Sequence, residues 1–260
     1  MLKKIHRTQN AVVFGVGDYF DFARTAWRSH LKTYSQEDNF FDSLDKFVDE
    51  SLVDPFCSLI KKHCPSFAEK CIVLVEGNHT YKYGSGGRQG QTSTQEICRR
   101  LDIPYGGLSA WVRMNVYNSK GSYKFGGGKN LNILLNHGQS SGGDNIASSL
   151  GKLEKQIATG WRNADVLFSA HNHKLGHITD KQIGVTQWGE PRLIDFPILV
   201  AKVGCFKKAY MPGAKSNSYE ERQFFSPHQR GWFECSAKTF RGNEKKNGYS
   251  ERWEFFDFNN

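Results

Sequence analysis

The chain has 260 residues, of which 38% are hydrophobic and 13% aromatic, and this is enough to build a substantial folded core. Its net charge of +9 favours polyanionic partners, with DNA or RNA as the first candidates. No stretch approaches the roughly 18 apolar residues of a membrane span, and the basic N-terminus lacks the apolar segment of a signal peptide. Composition therefore argues against an integral membrane protein, and we expect a cytoplasmic protein with no membrane partner.

The six cysteines form no C-x-x-C pair and no dense disulfide framework, which predicts reduced and mostly buried thiols. Cys57 and Cys64 lie seven residues apart in a helical pattern. We therefore expect them to share a core-facing side of a helix rather than a zinc ion.

The apolar run at residues 10–16 predicts a buried strand that ends in Gly17, Asp18 and, three residues later, Asp21. A carboxylate at this point could bind a metal while its neighbour orients a ligand. A turn that uses aspartate for local hydrogen bonds is an equally good interpretation of these residues alone.

A helical pattern with an interruption at Pro55 predicts two helices over residues 35–64. The next apolar run, 71–75, predicts a second strand, which ends in Glu76, Gly77, Asn78 and His79. The glycine-rich segment 83–90 lacks the lysine spacing of a P-loop, so we interpret it as a mobile loop in which Arg88 is a candidate phosphate contact. Residues 93–96 fit a capping box that would start a helix.

Two further strands end in histidines. Residues 131–135 lead to His137 and Gly138, a helix is predicted over 144–161, and residues 165–170 lead to His171 and His173. Ligands bind at the carboxyl edge of open α/β sheets, so imidazoles placed there could hold metal ions. Taken alone, however, a pair of histidines one residue apart at a strand end is more often part of a polar loop.

The C-terminal part is predicted to be rich in strands, at residues 177–185, 197–203, 231–235 and 253–258, after a hairpin over 111–125. Between these strands, residues 207–222 interleave aromatic and basic side chains. Such a segment could stack on and neutralise a nucleic-acid strand, although a solvated loop is the simpler interpretation.

The four polar strand ends occur in the order Gly17-Asp18…Asp21, Gly77-Asn78-His79, His137-Gly138 and His171-Asn172-His173. This ordered set resembles the calcineurin-like metallophosphoesterase family, whose motifs run D-x-H, G-D-x-x-D, G-N-H-[DE], H and G-H-x-H. The resemblance implies an α/β fold in which two packed mixed sheets are flanked by helices, an αββα sandwich. It also implies a single domain over residues 1–260, in which 204–260 complete the second sheet.

The same resemblance implies a centre of two divalent metal ions, Mn, Fe or Zn, about 3.5 to 4 Å apart. Its metal ligands would be Asp18, Asn78, His137, His171 and His173. His79 would be the catalytic histidine that protonates the leaving oxygen, and Asp21 would orient it.

Three departures from the family pattern affect this expectation. Thr80 stands where the family has an acid after His79, and Ala170 replaces the glycine before His171. The D-x-H motif has no counterpart in residues 1–17, where residues 2–7 suggest a helix. We expect a chain that lacks the first strand of the family, so that one metal keeps four ligands and the other only Asp18 and His173.

Two functions remain open at this point. The first is a metal-dependent phosphoesterase that hydrolyses phosphate esters, with nucleic-acid phosphodiesters favoured by the charge, as in a nuclease or phosphodiesterase. The second is an inactive, truncated relic of the same fold that binds nucleic acid. The sequence leaves the oligomeric state open.

Overall fold

The computed structural model describes residues 1–20, 40–84, 86–116, 129–138, 146–160, 163–185, 191–206, 231–240 and 252–257. Asp21, residues 117–125 of the predicted hairpin and the basic aromatic segment 207–222 lie outside the described residues. The chain groups into two compact units, Met1–Ala110 and Trp111–Asn260, called unit 1 and unit 2 below. The prediction of a single domain over 1–260 stays a prediction.

Unit 1 consists of two parallel strands covered by helices. Its elements are α1 (Leu2–Arg7), β1 (Val13–Val16), α2 (Phe40–Val48), a π turn (Asp49–Val53), α3 (Asp54–His63), α4 (Phe67–Lys70), β2 (Cys71–Val75), a 3₁₀ turn (Gly86–Arg88) and α5 (Ser93–Leu101). β1 runs parallel to β2 with Val16 opposite Val75, so both strands end at the same level. Their buried side chains pack with Cys57, Cys64 and α5 into one core, which confirms the predicted burial of these cysteines.

The two helices predicted over residues 35–64 are present as α2 and α3. Pro55 occupies the first turn of α3, where a missing N–H is tolerated, and the π turn joins the two helices. The predicted start of α5 needs a correction. The residue that caps α5 is Thr92, one position before the predicted Ser93. The hydroxyl of Ser93 instead accepts a hydrogen bond from the backbone N–H of Tyr81, at 3.1 Å.

Unit 2 is built on a mixed sheet. Its elements are β3 (Ser109–Val116, which starts at the end of unit 1), β4 (Lys129–Asn136), α6 (Ile146–Gly160), β5 (Val166–Ser169), β6 (Leu175–Val185), β7 (Pro191–Val203), β8 (Cys235–Phe240) and β9 (Arg252–Asp257). The strand order is β3-β4-β5-β7-β6, with β4, β5 and β7 parallel and β6 antiparallel to β7. α6 packs on this sheet through Leu150 and Leu153.

β8 and β9 form a separate antiparallel pair. The strand predicted at 231–235 is wrong: β8 only begins at Cys235. Gly231 has a φ of +146°, outside the range of ordinary strand residues, and its N–H donates to the carbonyl of Cys205. Both units nevertheless combine helices with sheet, and the predicted mixed α/β class is confirmed. Among the described residues, no helix has the length and apolarity that a bilayer crossing needs.

Candidate metal centre

The carboxyl edge of the sheet in unit 2 brings two histidines together. β4 and β5 are parallel with Asn136 opposite Ser169, so His137 and His171 follow at the same edge. The Nδ1 atom of His171 lies 3.3 Å from the Nε2 atom of His137, and the rings are nearly perpendicular, at 89°. We call these two residues the histidine pair. His137 is buried and His171 half-buried, so the pair is partly accessible to solvent.

The spacing of the histidine pair suits a metal ion. Two imidazole nitrogens at 2.0–2.1 Å from a tetrahedral zinc ion are about 3.4 Å apart, close to the observed separation. Without a metal, one neutral ring can donate a hydrogen bond to the other at the same distance. A metal would take the place of that shared proton.

The backbone around His171 is held in an unusual conformation. His171 and His173 have φ values of +69° and +56°, a region that costs non-glycine residues about 1–2 kcal/mol. Asn172 fixes the segment between them, since its side-chain amide donates to Ser149 Oγ on α6 at 2.7 Å. Among the described residues of unit 2, His137 and His171 carry nitrogen atoms that lie close enough together to bind one metal ion. The imidazole of His173 is not part of this cluster.

Unit 1 brings three of the predicted site residues together at the ends of β1 and β2. Asp18 has a φ of +51°, which aspartate tolerates better than most residues, and its Oδ1 atom accepts a hydrogen bond from the backbone N–H of His79 at 2.9 Å. Asn78, which precedes His79 in the sequence, is exposed, and His79 is half-buried. A Cβ atom on Gly77 would lie 1.9 Å from Asp18 Oδ1, so this close approach requires glycine.

A buried carboxylate supports this corner of unit 1. Glu76 is 7% exposed and accepts hydrogen bonds from the hydroxyls of Thr80 at 3.2 Å and Thr92 at 2.8 Å, and from the hydroxyl of Tyr105. Burial and the bond to Glu76 raise the pKa of Tyr105 to about 12, so Tyr105 stays a donor. No role was predicted for Glu76 from the sequence, although a carboxylate directly after a buried strand was the available signal.

Arg88 makes contacts inside unit 1. Its Nη1 atom lies 2.6 Å from Asp49 Oδ2, and its guanidinium carbon lies 4.2 Å from the centre of the Tyr83 ring. Asp49 also accepts a hydrogen bond from the Tyr83 hydroxyl at 2.6 Å. These contacts give Arg88 a structural role, and its predicted contact with a substrate phosphate stays a prediction.

Comparison with known proteins adds little to this geometry. No protein-family model matches the chain, and no curated protein matches it. Among solved structures, a double mutant of Vps29 from Entamoeba histolytica matches with 15% identity and a TM-score of 0.30, covering 73% of this chain and 83% of the other. Wild-type Vps29 of the same organism, complexed with zinc, matches with 14% identity and a TM-score of 0.28, covering 72% and 83%. TM-scores this low carry neither fold nor activity over to this chain.

Proposed function

We propose that this protein is a metal-dependent phosphoesterase in which the histidine pair binds a divalent metal ion. The observation that carries the proposal is the 3.3 Å separation of the two imidazole nitrogens at the carboxyl edge of the sheet. Imidazole is a preferred ligand of zinc, iron and other transition metals. The resemblance of the strand-end motifs to calcineurin-like metallophosphoesterases supports the choice of reaction.

The remaining roles follow from that resemblance and are part of the proposal. Asp18 and Asn78 are the oxygen ligands, and His173 is the ligand of a more weakly bound second metal. A bound divalent ion would act as a Lewis acid toward a phosphate ester and its attacking water. The protein's own contribution would be proton transfer to the leaving oxygen by His79, with Asp21 as its orienting carboxylate.

The position of His79 supports this role. Its backbone N–H is tied to Asp18, which fixes the main chain, while its imidazole is half-buried and can take part in proton transfer. A positioned acid contributes roughly 10²–10⁴ in rate. Because His79 is not assigned as a ligand, this effect should be separable from metal binding.

The charge of +9 favours phosphodiesters of DNA or RNA as substrates. Binding to single strands should weaken steeply between 50 and 200 mM salt, because each phosphate contact releases counterions. A flat salt response would argue for small phosphate esters instead.

The test combines elemental analysis after exhaustive dialysis with initial rates on a chromogenic phosphodiester. We expect about one tightly bound transition metal per wild-type chain, with a second ion weakly held. His171→Ala should lose metal and activity, whereas His79→Ala should keep its metal and lose about 10²–10⁴ in rate. His63→Ala, on α3, is the matched control and should keep both.

Other results would contradict parts of the proposal. Wild-type protein without tightly bound metal, or His171→Ala with full metal content, would remove the metal site. Unchanged turnover in His79→Ala would remove that residue from the mechanism. Metal and nucleic-acid binding without hydrolysis would favour the non-catalytic alternative.

A further inference from the structure

A buried lysine contacts the two residues that precede His171 of the histidine pair. Lys202, on β7, is opposite Ser169 at the end of β5 and is 4% exposed. Its Nζ atom donates to Ser169 Oγ at 2.9 Å and to the carbonyl oxygen of Ala170 at 3.0 Å. Within the described part of the chain, no carboxylate contacts this ammonium group.

Such a lysine is costly to bury. Burial lowers the pKa of Lys202 to about 8, because the charged form loses its hydration. An apolar residue would fill the same position of a buried strand without this cost. The function of this lysine should therefore lie in its two hydrogen bonds. Both are made to Ser169 and Ala170, the two residues directly before His171.

Ala170 connects Lys202 to both histidines. Its N–H donates to the carbonyl of His137 at 3.1 Å, and its carbonyl accepts from the N–H of Asn172 at 2.9 Å as well as from Lys202. On the other side, a Cβ atom on Gly138 would lie 2.8 Å from Ser169 Oγ, so the segment after β4 packs closely against this point. The peptide at Ala170 is thus held from three directions immediately before the left-handed turn at His171.

We propose that Lys202 is a positioning residue for the histidine pair: by binding Ser169 Oγ and the Ala170 carbonyl, it fixes the turn that aims His171 at His137. The proposal rests on the proposed function for its metal readout, but the geometry of the two rings is a property of the metal-free protein. Residues that orient metal ligands typically change metal affinity 10–100-fold when replaced. Lys202 acts through the backbone and never touches the metal.

The test compares Lys202→Met, which keeps most of the length of the side chain and removes its donors, with Lys152→Met on the exposed side of α6. In the metal-free protein, nitrogen-15 NMR of the imidazoles should show a protected N–H···N hydrogen bond between the two histidines in wild type and Lys152→Met. This signal should be lost in Lys202→Met. With zinc, competition against a chelator should give a 10–100-fold weaker affinity for Lys202→Met and no change for Lys152→Met.

The two readouts separate the two proposals. If wild-type protein does not bind zinc, the metal function fails, while the imidazole signals still decide the role of Lys202. If Lys202→Met keeps both the imidazole hydrogen bond and the zinc affinity, the positioning role is wrong and the metal site stands. Should Lys202→Met fail to fold, Ser169→Ala removes one of the two acceptors. It should then weaken zinc binding several-fold, and unchanged affinity in that variant would overturn the inference.

Discussion

Replacing Gly77 by alanine should displace the carboxylate of Asp18. The added Cβ atom would lie 1.9 Å from Asp18 Oδ1 and 2.3 Å from the Asp18 backbone nitrogen, far inside contact distance. Gly77 is itself buried, at the end of β2, so the substituent has no free space to occupy. Relief requires movement of Asp18, and this breaks the 2.9 Å hydrogen bond from the backbone N–H of His79.

Overpacking of a buried site costs about 1–3 kcal/mol, and a hydrogen bond to a charged group contributes about 1.5–3 kcal/mol. Moving Asp18 relieves the overpacking but breaks this hydrogen bond, so we expect the free energy of unfolding of the protein to fall by about 2–3 kcal/mol. Urea unfolding measures this loss, and the amide signal of His79 should lose its protection from hydrogen exchange.

Gly87→Ala is the matched control for that experiment, because a Cβ atom at this position meets no atom within 4 Å. It should change stability by less than about 0.5 kcal/mol, as is usual for open surface positions. If Gly77→Ala were as mild as this control, with His79 still protected, the close packing of Gly77 on Asp18 would be refuted.

Three other predictions concern a helix cap, the burial of the cysteines and the pKa of Lys202. Thr92→Ala should lower the free energy of unfolding, measured with urea, by about 1–2 kcal/mol, because it removes the α5 cap and a hydrogen bond to the buried Glu76 carboxylate. Thr92→Ser keeps a hydroxyl and should recover most of this stability, and an equal loss in both variants would contradict the capping role. A thiol reagent at pH 8 should label the half-buried Cys205 and Cys235 first and the four buried cysteines only after unfolding, and simultaneous reaction of all six would contradict their burial. Lys202 has a pKa of about 8 in the folded protein against its ordinary value of 10.5, so between these values the unfolded state binds more protons than the folded state. The free energy of unfolding of the wild type should therefore rise with pH from about 8 to about 10.5, by up to about 3 kcal/mol. Lys202→Met should lack this rise, and parallel curves of stability against pH for the two proteins would contradict a desolvated ammonium group.

The sequence was most informative where strands are fully buried. β1, β2, β4 and β5 are short apolar runs bounded by glycine and polar residues, and each lies within a few residues of its predicted position. Because parallel strands end at a common edge, the sequence could predict that His137 and His171, which follow β4 and β5, lie close together, and the structure shows this. The same reasoning placed Asp18 and His79 together after β1 and β2.

The supporting residues could not be predicted in the same way. Lys202 sits in a run of apolar residues where a lysine suggests a solvent-facing side chain, and only the pairing of β5 with β7 shows that it is buried. Glu76 depends on hydroxyls from Thr92 and Tyr105, which are 16 and 29 residues away in the sequence. The choice between Thr92 and Ser93 as helix cap was likewise decided by a tertiary contact, the bond from Tyr81 to Ser93. Local patterns carry no information about such contacts.

X-ray absorption at the zinc edge of the zinc-loaded protein tests whether the histidine pair binds the metal, because it counts the imidazoles bound to zinc. We expect at least two imidazole ligands with nitrogen at about 2.0–2.1 Å from zinc. His137→Ala should lose at least one of them, while His63→Ala should give the wild-type spectrum. Zinc bound without imidazole scattering, or a spectrum that His137→Ala leaves unchanged, would contradict the assignment of the histidine pair as the metal-binding element.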